Sequence, residues 1–401
     1  MRIAFINTVS GYGSTGRLVS QLAGMDGTVS RIYYGRKKDL SGCETYRVTG
    51  PAGNIVHAVE TRLFDRHGFC SAKETNRMIG DLKAFQPDLI HLHNLHGYYL
   101  HTEVLFRFLA QICVPVVWTF HDCWPFTGHC VHYEAVGCEQ WKTGCRHCTQ
   151  TRVNYKTYSS AHVRENYERK RAAFTSVGSR LHVAVPSVWL KDQVSGSFLK
   201  ETDCTVIPNG IDLNTFHPLE SDFRRKNNLE NKTLILACSS IWTERKGFDQ
   251  LAALSHDLPE NAVLCIIGVS QRQKKQLPEH VIAISRTDSV RELAEIYSAA
   301  DLLINPTQEE TFSLVNLEAQ ACGIPVVTYR SGGSTETITD STGIILEKND
   351  LAGLRKVIER MSSGQLIFDK DSCVRNAQRF SIEHMLEGYR QLYQRVTGKT
   401  L

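Results

Sequence analysis

Two carboxylates, Glu310 and Glu318, stand eight positions apart in EETFSLVNLEAQACGIPVV, residues 309–327. The stretch around them is small and apolar and runs into a Gly-Ile-Pro turn. If a helix starts near Thr311 to Ser313, its first backbone N–H groups, at Thr311, Phe312, Ser313 and Leu314, are donors without intrahelical partners. They suit phosphate oxygens. Glu318, about two turns on, would reach a pair of hydroxyls such as a ribose, and Glu310 would face whatever hangs from the far phosphate. The plainer alternative is that Glu310 caps the helix electrostatically and Glu318 faces water. Upstream, Arg245 and Lys246 sit beside Gly247 in WTERKGFDQL. Two cations at the end of a strand suit a diphosphate, although alone they are more often a solvated pair. Near the start, GYGSTG (Gly11–Gly16) is a G-x-G-x-x-G between a strand and a helix, the context of a dinucleotide fingerprint. The next strand ends in the basic YYGRKKD, so the fingerprint implies an NADP-dependent oxidoreductase as a second hypothesis. A tight turn with no ligand is the alternative there.

The elements that would position these residues are legible as alternation. RIAFINTV, SRIYYG, PDLIHLH, PVVWTFHD, LHVAVPS and CTVIPNG read as strands, with GRLVSQLAGM, NRMIGDLKAF and EVLFRFLAQI as helices between them. A second series follows: KTLILACSS, AVLCIIG, DLLINPT and PVVTY as strands, FDQLAAL, VRELAEIYSAA and LVNLEAQACG as helices. Continuous apolar strands separated by helices imply parallel sheets covered on both faces. Two series in 401 residues imply two doubly wound α/β domains. The join falls near CTVIPNGIDLNTFHP, giving domains at 1–206 and 207–380, with an amphipathic helix over 381–401. No apolar run approaches the roughly 20 residues of a membrane-spanning helix. MRIAFINTVSG lacks the apolar core of a signal peptide, so the expected location is the cytoplasm.

With the motifs in place, the chain resembles the retaining glycosyltransferase family 4, whose enzymes share the two-domain GT-B fold. The family pattern is Glu, seven residues, Glu, a small-residue run and Gly-x-Pro-Val; here it is ETFSLVNLEAQACGIPVV. TFHD, PDLIHLHNLHGYYL, VIPNGID and GYGSTGRL resemble further family segments, so the likeness runs from Arg2 to about Val327. It implies two Rossmann-like domains facing across a cleft, with the last helix crossing back to the first. It implies that Glu310 contacts the donor sugar, Glu318 the ribose and Lys246 the diphosphate, with Gly13, Ser14, Arg245 and Thr311–Leu314 also on the donor. His121 would lie near the donor sugar. Thr15, Gly16, His93, Asn94 and Asp122 would lie on the acceptor side. Many members carry an arginine six residues before the lysine. Here that position is Ser240, and Arg245 is the candidate replacement.

The resemblance implies transfer of a hexose-type sugar from a nucleoside diphosphate sugar to a hydroxyl with retention, and fixed cations in place of a metal. Front-face transfer and double displacement through Glu310 both remain open. A nucleotide-sugar epimerase on the same fold is a further alternative. Within the first domain, Cys123, Cys130, Cys138, Cys145 and Cys148 crowd the insertion 123–148. Cys130, Cys138, Cys145 and Cys148 are candidates for a structural zinc, beside idle thiols or, less in keeping with a reducing compartment, disulfides. Residues 1–200 carry 24 Lys and Arg against 15 Asp and Glu, a surplus of nine. That suits a phosphate-bearing ligand or an anionic membrane surface, unless the charges are merely scattered. They form no dense run, so a nucleic-acid partner is not expected. The expected partners are a nucleotide sugar and a glycan or lipid-linked glycan, in surface polysaccharide synthesis, with the protein peripheral at the inner face of the membrane.

Overall fold

The structure, a computed structural model, describes residues 1–39, 42–153 and 155–400. The chain divides into two compact units, Met1–Pro208 with Leu386–Leu401, and Asn209–Met385.

The first unit is built on β1 (Arg2–Asn7), β2 (Val29–Tyr34), β3 (Glu44–Arg47), β4 (Leu89–Leu92), β5 (Val116–Thr119), β6 (Leu181–Val185) and β7 (Asp203–Val206). All pairings are parallel, in the order β3-β2-β1-β4-β5-β6-β7. Every residue of β4 and β5 is buried. That is why these strands read as unbroken apolar runs rather than as alternation. Helix Gly13–Ala23 turns Leu18, Val19 and Leu22 onto the sheet, and helix Thr102–Gln111 does so with Leu105, Phe106 and Leu109. The last helix, Ile382–Thr397, ends in this unit. Tyr389 and Tyr393 on it are buried, and each hydroxyl has a partner. Thr119 Oγ1 lies 2.9 Å from the Tyr389 hydroxyl, and His91 Nδ1 lies 2.7 Å from that of Tyr393. A buried tyrosine contributes burial of its ring only if its hydroxyl is satisfied, so these two bonds fix the helix on β4 and β5.

The second unit is built on β8 (Thr233–Cys238), β9 (Ala262–Ile267), β10 (Ile282–Ile284), β11 (Leu302–Asn305), β12 (Val326–Tyr329) and β13 (Gly343–Leu346). Again all pairings are parallel, in the order β10-β9-β8-β11-β12-β13. One core packs about Leu234, Leu236 and Leu303, the other about Ile235, Ile304 and Val327. Alternate residues of the same strands feed the two cores, as the two-residue period of a strand requires.

In both sheets the winding reverses once, between β1 and β4 and between β8 and β11. Loops that leave neighbouring strands in opposite directions open a crevice at the carboxyl edge, which is where open α/β sheets take ligands. Among the described residues no helix is long and apolar enough to cross a membrane.

Candidate functional site

The reversal point of the second unit joins the loop after β8 to the loop after β11. Gly247 has φ 79°, and a Cβ there would stand 2.2 Å from the Pro306 carbonyl oxygen. Only glycine lets the Glu244–Lys246 turn press so closely on the other loop. The two loops are then laced by backbone: Gln308 N–H donates to the Arg245 carbonyl (2.8 Å), and Arg245 Nη1 donates to the Glu309 carbonyl (2.9 Å). Lys246 Nζ donates to the Glu310 carboxylate in an ion pair. Both side chains remain partly open, at 24% and 15% exposure. A cation and an anion thus share one partly solvated spot at the carboxyl edge. Arg245 braces the loop with at least one arm.

Beneath them lies a fully polar, fully buried scaffold. Asn305 Nδ2 donates to Ser313 Oγ (3.0 Å) and Asn316 Oδ1 (2.8 Å). Asn316 Nδ2 donates to Ser334 Oγ (3.1 Å) and Thr337 Oγ1 (3.0 Å). Each member has partners, so the network rigidifies rather than penalises the core. It sets where the helix after β11 begins. That helix is Leu314–Ala321, with Ser313 as its N-cap accepting from Asn316 N–H. The start expected around Thr311 to Ser313 is met to within a residue: Ser313 is the cap, Thr311 and Phe312 precede the helix, and Glu318 sits little more than one turn into it. The Ser313 side chain takes one of the orphan donors. Glu318 receives a hydrogen bond from the Tyr297 hydroxyl at 3.2 Å. Tyr297 is buried, and burial pushes its hydroxyl well above the usual range, so it stays a donor that orients Glu318. Nothing in the sequence singled out Tyr297, Asn305 or Asn316; only their placement after strands or on one helix face could have.

In the first unit the β1, β4 and β5 loops converge in the same way. Asn94 N–H donates to Asn7 Oδ1 (3.2 Å), and Thr8 Oγ1 donates to the Asn94 carbonyl (2.9 Å). His93 Nδ1 and His121 Nε2 share one hydrogen bond at 3.0 Å, with stacked rings. Burial, partly countered by Asp122, lowers His121 to about 4, so it is neutral at physiological pH and a weak base. Burial also holds His93 well below 6.5, and its Nε2 is buried with no hydrogen-bond partner among the described residues. Asp122 accepts from His96 Nε2 at 2.7 Å, and His96 Nδ1 lies 2.5 Å from the Tyr155 hydroxyl. Burial alone would raise Asp122, but His96 and the Trp124 N–H hold it at about 2. This His96–Asp122 pair went unread in the sequence because the two residues, 26 positions apart, meet only through the fold.

The glycine loop leads into helix Gly13–Ala23, whose N-cap, Tyr12, makes no side-chain cap. Gly11 and Gly13 both have φ 67°. A Cβ at Gly16 would meet Val9 at 3.1 Å and the Gly11 nitrogen at 3.2 Å. All three glycines are thus required by the turn itself, and the G-x-G-x-x-G spacing needs no dinucleotide to explain it. Ser14 and Thr15 lie in the first turn of that helix.

The cysteine-rich insertion follows directly on the β5 loop, and its Trp124 N–H donates to Asp122 Oδ1 at 2.9 Å. Cys130 and Cys148 act on each other, which holds the Cys148 thiol low and raises Cys130. Cys145 accepts from Gly128 N–H at 3.2 Å. Among the described residues no group of three or more His, Cys, Asp or Glu is placed to hold a metal ion, while Cys130, Cys138, Cys145 and Cys148 lie near enough to bear on one another's ionisation.

Comparison with known proteins follows this division. A family model described as Glycosyltransferase Family 4 matches residues 15–215, and one described as Glycosyl transferases group 1 matches 220–380. An Escherichia coli (strain K12) protein named for a glycosyl transferase role in colanic acid biosynthesis, WcaC, is 26% identical over 356 residues, covering 83% of this chain and 82% of that protein. A GDP-mannose-dependent monoacylated alpha-(1-6)-phosphatidylinositol monomannoside mannosyltransferase of Corynebacterium glutamicum is 29% identical over 172 residues, 38% of this chain and 45% of its own length. Among solved structures, sucrose-phosphate synthase from Thermosynechococcus elongatus superposes with a TM-score of 0.72 at 20% identity, covering 99% of both chains. Anabaena Alr3699/HepE in complex with UDP gives 0.67 at 17%, covering 98% of this chain and 100% of that one. The oxidoreductase alternative finds no support among these matches.

Proposed function

The chain belongs to glycosyltransferase family 4, and on that premise we propose that it moves a hexose-type sugar from a nucleoside diphosphate sugar to a hydroxyl of a lipid-linked glycan, with retention. The observation that carries the donor half is the Lys246–Glu310 ion pair at the reversal point of the second unit. A diphosphate needs a fixed cation and a sugar needs a hydrogen-bond acceptor, and this pair offers both at one place. The N–H groups ahead of and within the first turn of helix Leu314–Ala321 add donors for the phosphate oxygens. Glu318, oriented by Tyr297, takes the ribose hydroxyls.

Leaving-group stabilisation is the main catalytic contribution in this reading. Charge develops on the departing diphosphate, and Lys246 opposes it in a site fixed before the reaction begins. No metal is called for. His121 is neutral and a weak base, so it is not the group that accepts the acceptor's proton. The acceptor proton passes to the donor phosphate on the same face, which leaves the anomeric configuration unchanged.

The acceptor class is supported by the names of relatives in colanic acid and phosphatidylinositol mannoside synthesis and by the basic first half. Such an acceptor places the protein at the inner face of a membrane, in surface polysaccharide or glycolipid synthesis. The test is incubation with UDP-, GDP- and ADP-hexoses and a lipid-linked oligosaccharide pool, with proton NMR of the anomeric signal. An α-linked product from an α-linked donor is expected. An inverted product, or nucleotide release that never depends on an acceptor, contradicts the reading.

A further inference from the structure

Helix Pro51–Phe64 is inside out. The residues it buries are His57 and Thr61. The residues it shows to solvent are Ile55 (65% exposed), Val56 (58%), Val59 (46%), Leu63 (51%) and Phe64 (49%). Ile55, Val59 and Leu63 follow one another at four-residue steps, and Val56 lies beside them, so they form a single stripe. Scattered exposed apolar residues are ordinary; a contiguous stripe marks an interaction surface.

The helix is not free to roll over and bury this stripe. His57 Nδ1 lies 3.0 Å from Ser71 Oγ, and Gly68 N–H donates to His57 Nε2 at 3.4 Å. Rotation would strand these groups, and a buried polar group without a partner costs about 1–3 kcal/mol. The inward polar face is therefore specified, and so is the outward apolar one. Tyr158, 79% exposed, extends the surface at the far end, where its N–H donates to the Arg62 carbonyl at 2.8 Å.

The charge at the rim selects among occupants. Arg62 lies in the last turn and Arg66 just beyond it. Arg36 and Arg62 both bear on the Tyr98 hydroxyl. Of the nearby acids, Glu60 pairs with Arg66 at 3.3 Å, and Asp65 is turned inward onto His129 at 2.8 Å. An apolar stripe with a basic rim complements an anionic lipid surface. A second copy would set the same arginines against one another. The helix is also tied to the acceptor-side loop: Thr49 Oγ1 donates to the Tyr99 carbonyl (2.6 Å), and Asn54 Nδ2 to that of Tyr98 (2.8 Å). That loop follows His93 and Asn94 directly.

We propose that the exposed face of helix Pro51–Phe64 seats on the headgroup–acyl boundary of an anionic bilayer, with Arg62 and Arg66 on lipid phosphates. The inference rests on the reading of the acceptor as lipid-linked, and it says which surface meets the lipid. The test is co-sedimentation of the full chain with vesicles of phosphatidylcholine, with and without phosphatidylglycerol, at low and high salt. Nucleotide binding is measured separately by thermal shift. Wild type is expected to pellet with phosphatidylglycerol vesicles and to be released by salt. The variant Ile55→Ser/Val59→Ser/Leu63→Ser is expected to bind about tenfold or more weakly with its nucleotide response intact. Should that triple variant lose its nucleotide response, Arg62→Gln/Arg66→Gln decides, through loss of the preference for phosphatidylglycerol. Wild type left in the supernatant, or a variant that pellets like wild type, overturns the proposal. So does a dimer in light scattering that the triple variant dissolves, which would assign the stripe to a second copy. Vesicle binding needs no nucleotide, so docking that fails while the nucleotide response persists leaves the donor site standing, and the reverse outcome leaves the docking surface standing.

Discussion

Lys246→Ala is expected to lower kcat/KM for sugar transfer by about two to three orders of magnitude, the usual loss when one preorganised charge-stabilising group is removed. The effect should fall on kcat as well as KM, because the charge Lys246 opposes is larger on the departing diphosphate than on the bound donor. Stability should hardly change. Both partners of the Lys246–Glu310 pair are partly open to solvent, and ion pairs of that kind contribute about 0–1 kcal/mol. Lys246→Arg retains the charge but not the point geometry, and should recover part of the loss. The measurement is nucleoside diphosphate release against donor concentration, with the melting temperature recorded alongside. A variant that turns over like wild type would mean that Arg245 or the backbone carries the diphosphate alone.

The second large effect concerns acid. The first unit buries a group of histidines in their neutral form. Burial lowers His57 to about 3 and His121 to about 4, and holds His67, His91 and His93 well below 6.5. The unfolded chain would protonate each of them at the ordinary value of 6.5. In the interval between the two values the unfolded state binds more protons than the folded one, so stability rises with pH there. It is therefore full above 6.5 and is lost as pH falls, down to about 4 for His121 and about 3 for His57. Each such histidine contributes about 1.4 kcal/mol per pH unit inside its window. Domains are stable by only about 5–15 kcal/mol in total, so a few histidines suffice. The melting temperature of the first unit is expected to fall steeply between pH 6.5 and 4. A flat profile over that range would mean that these rings are protonated or solvated in the folded state.

What the sequence made legible follows from where side chains point. The strands were visible because parallel strands are buried on both faces and become continuous apolar runs. Glu310, Glu318 and Lys246 were visible because charges in such surroundings stand out. Helix Pro51–Phe64 was not, because its periodicity is inverted: the apolar residues face solvent and the buried ones are His57 and Thr61. Helix Val163–Thr175 was hidden for a related reason. Its sequence is polar, yet Lys170 is 1% exposed. The Lys170 ammonium donates to the carbonyls of Trp124 (2.9 Å) and Thr127 (3.0 Å) and lies over the Trp124 ring. Burial lowers that lysine to about 7, and no pattern of spacing announces it. The His91–Tyr393 bond joins residues 302 positions apart, a separation over which periodicity carries no information. The cysteines showed ligand types, and spacing alone does not supply ligand geometry.

The central claim is that the reversal point of the second unit holds a nucleoside diphosphate sugar. The most direct measurement is a thermal-shift panel of UDP, GDP, ADP, CMP, NADP⁺ and their sugar conjugates on wild type and Glu318→Ala. A ligand that binds only the folded state stabilises it by about 2.7 kcal/mol at a hundredfold excess over Kd. The account predicts a shift with one nucleoside diphosphate and its sugar conjugate, sharply reduced in Glu318→Ala. A shift with NADP⁺ alone, or an equal diphosphate shift in both proteins, would contradict it.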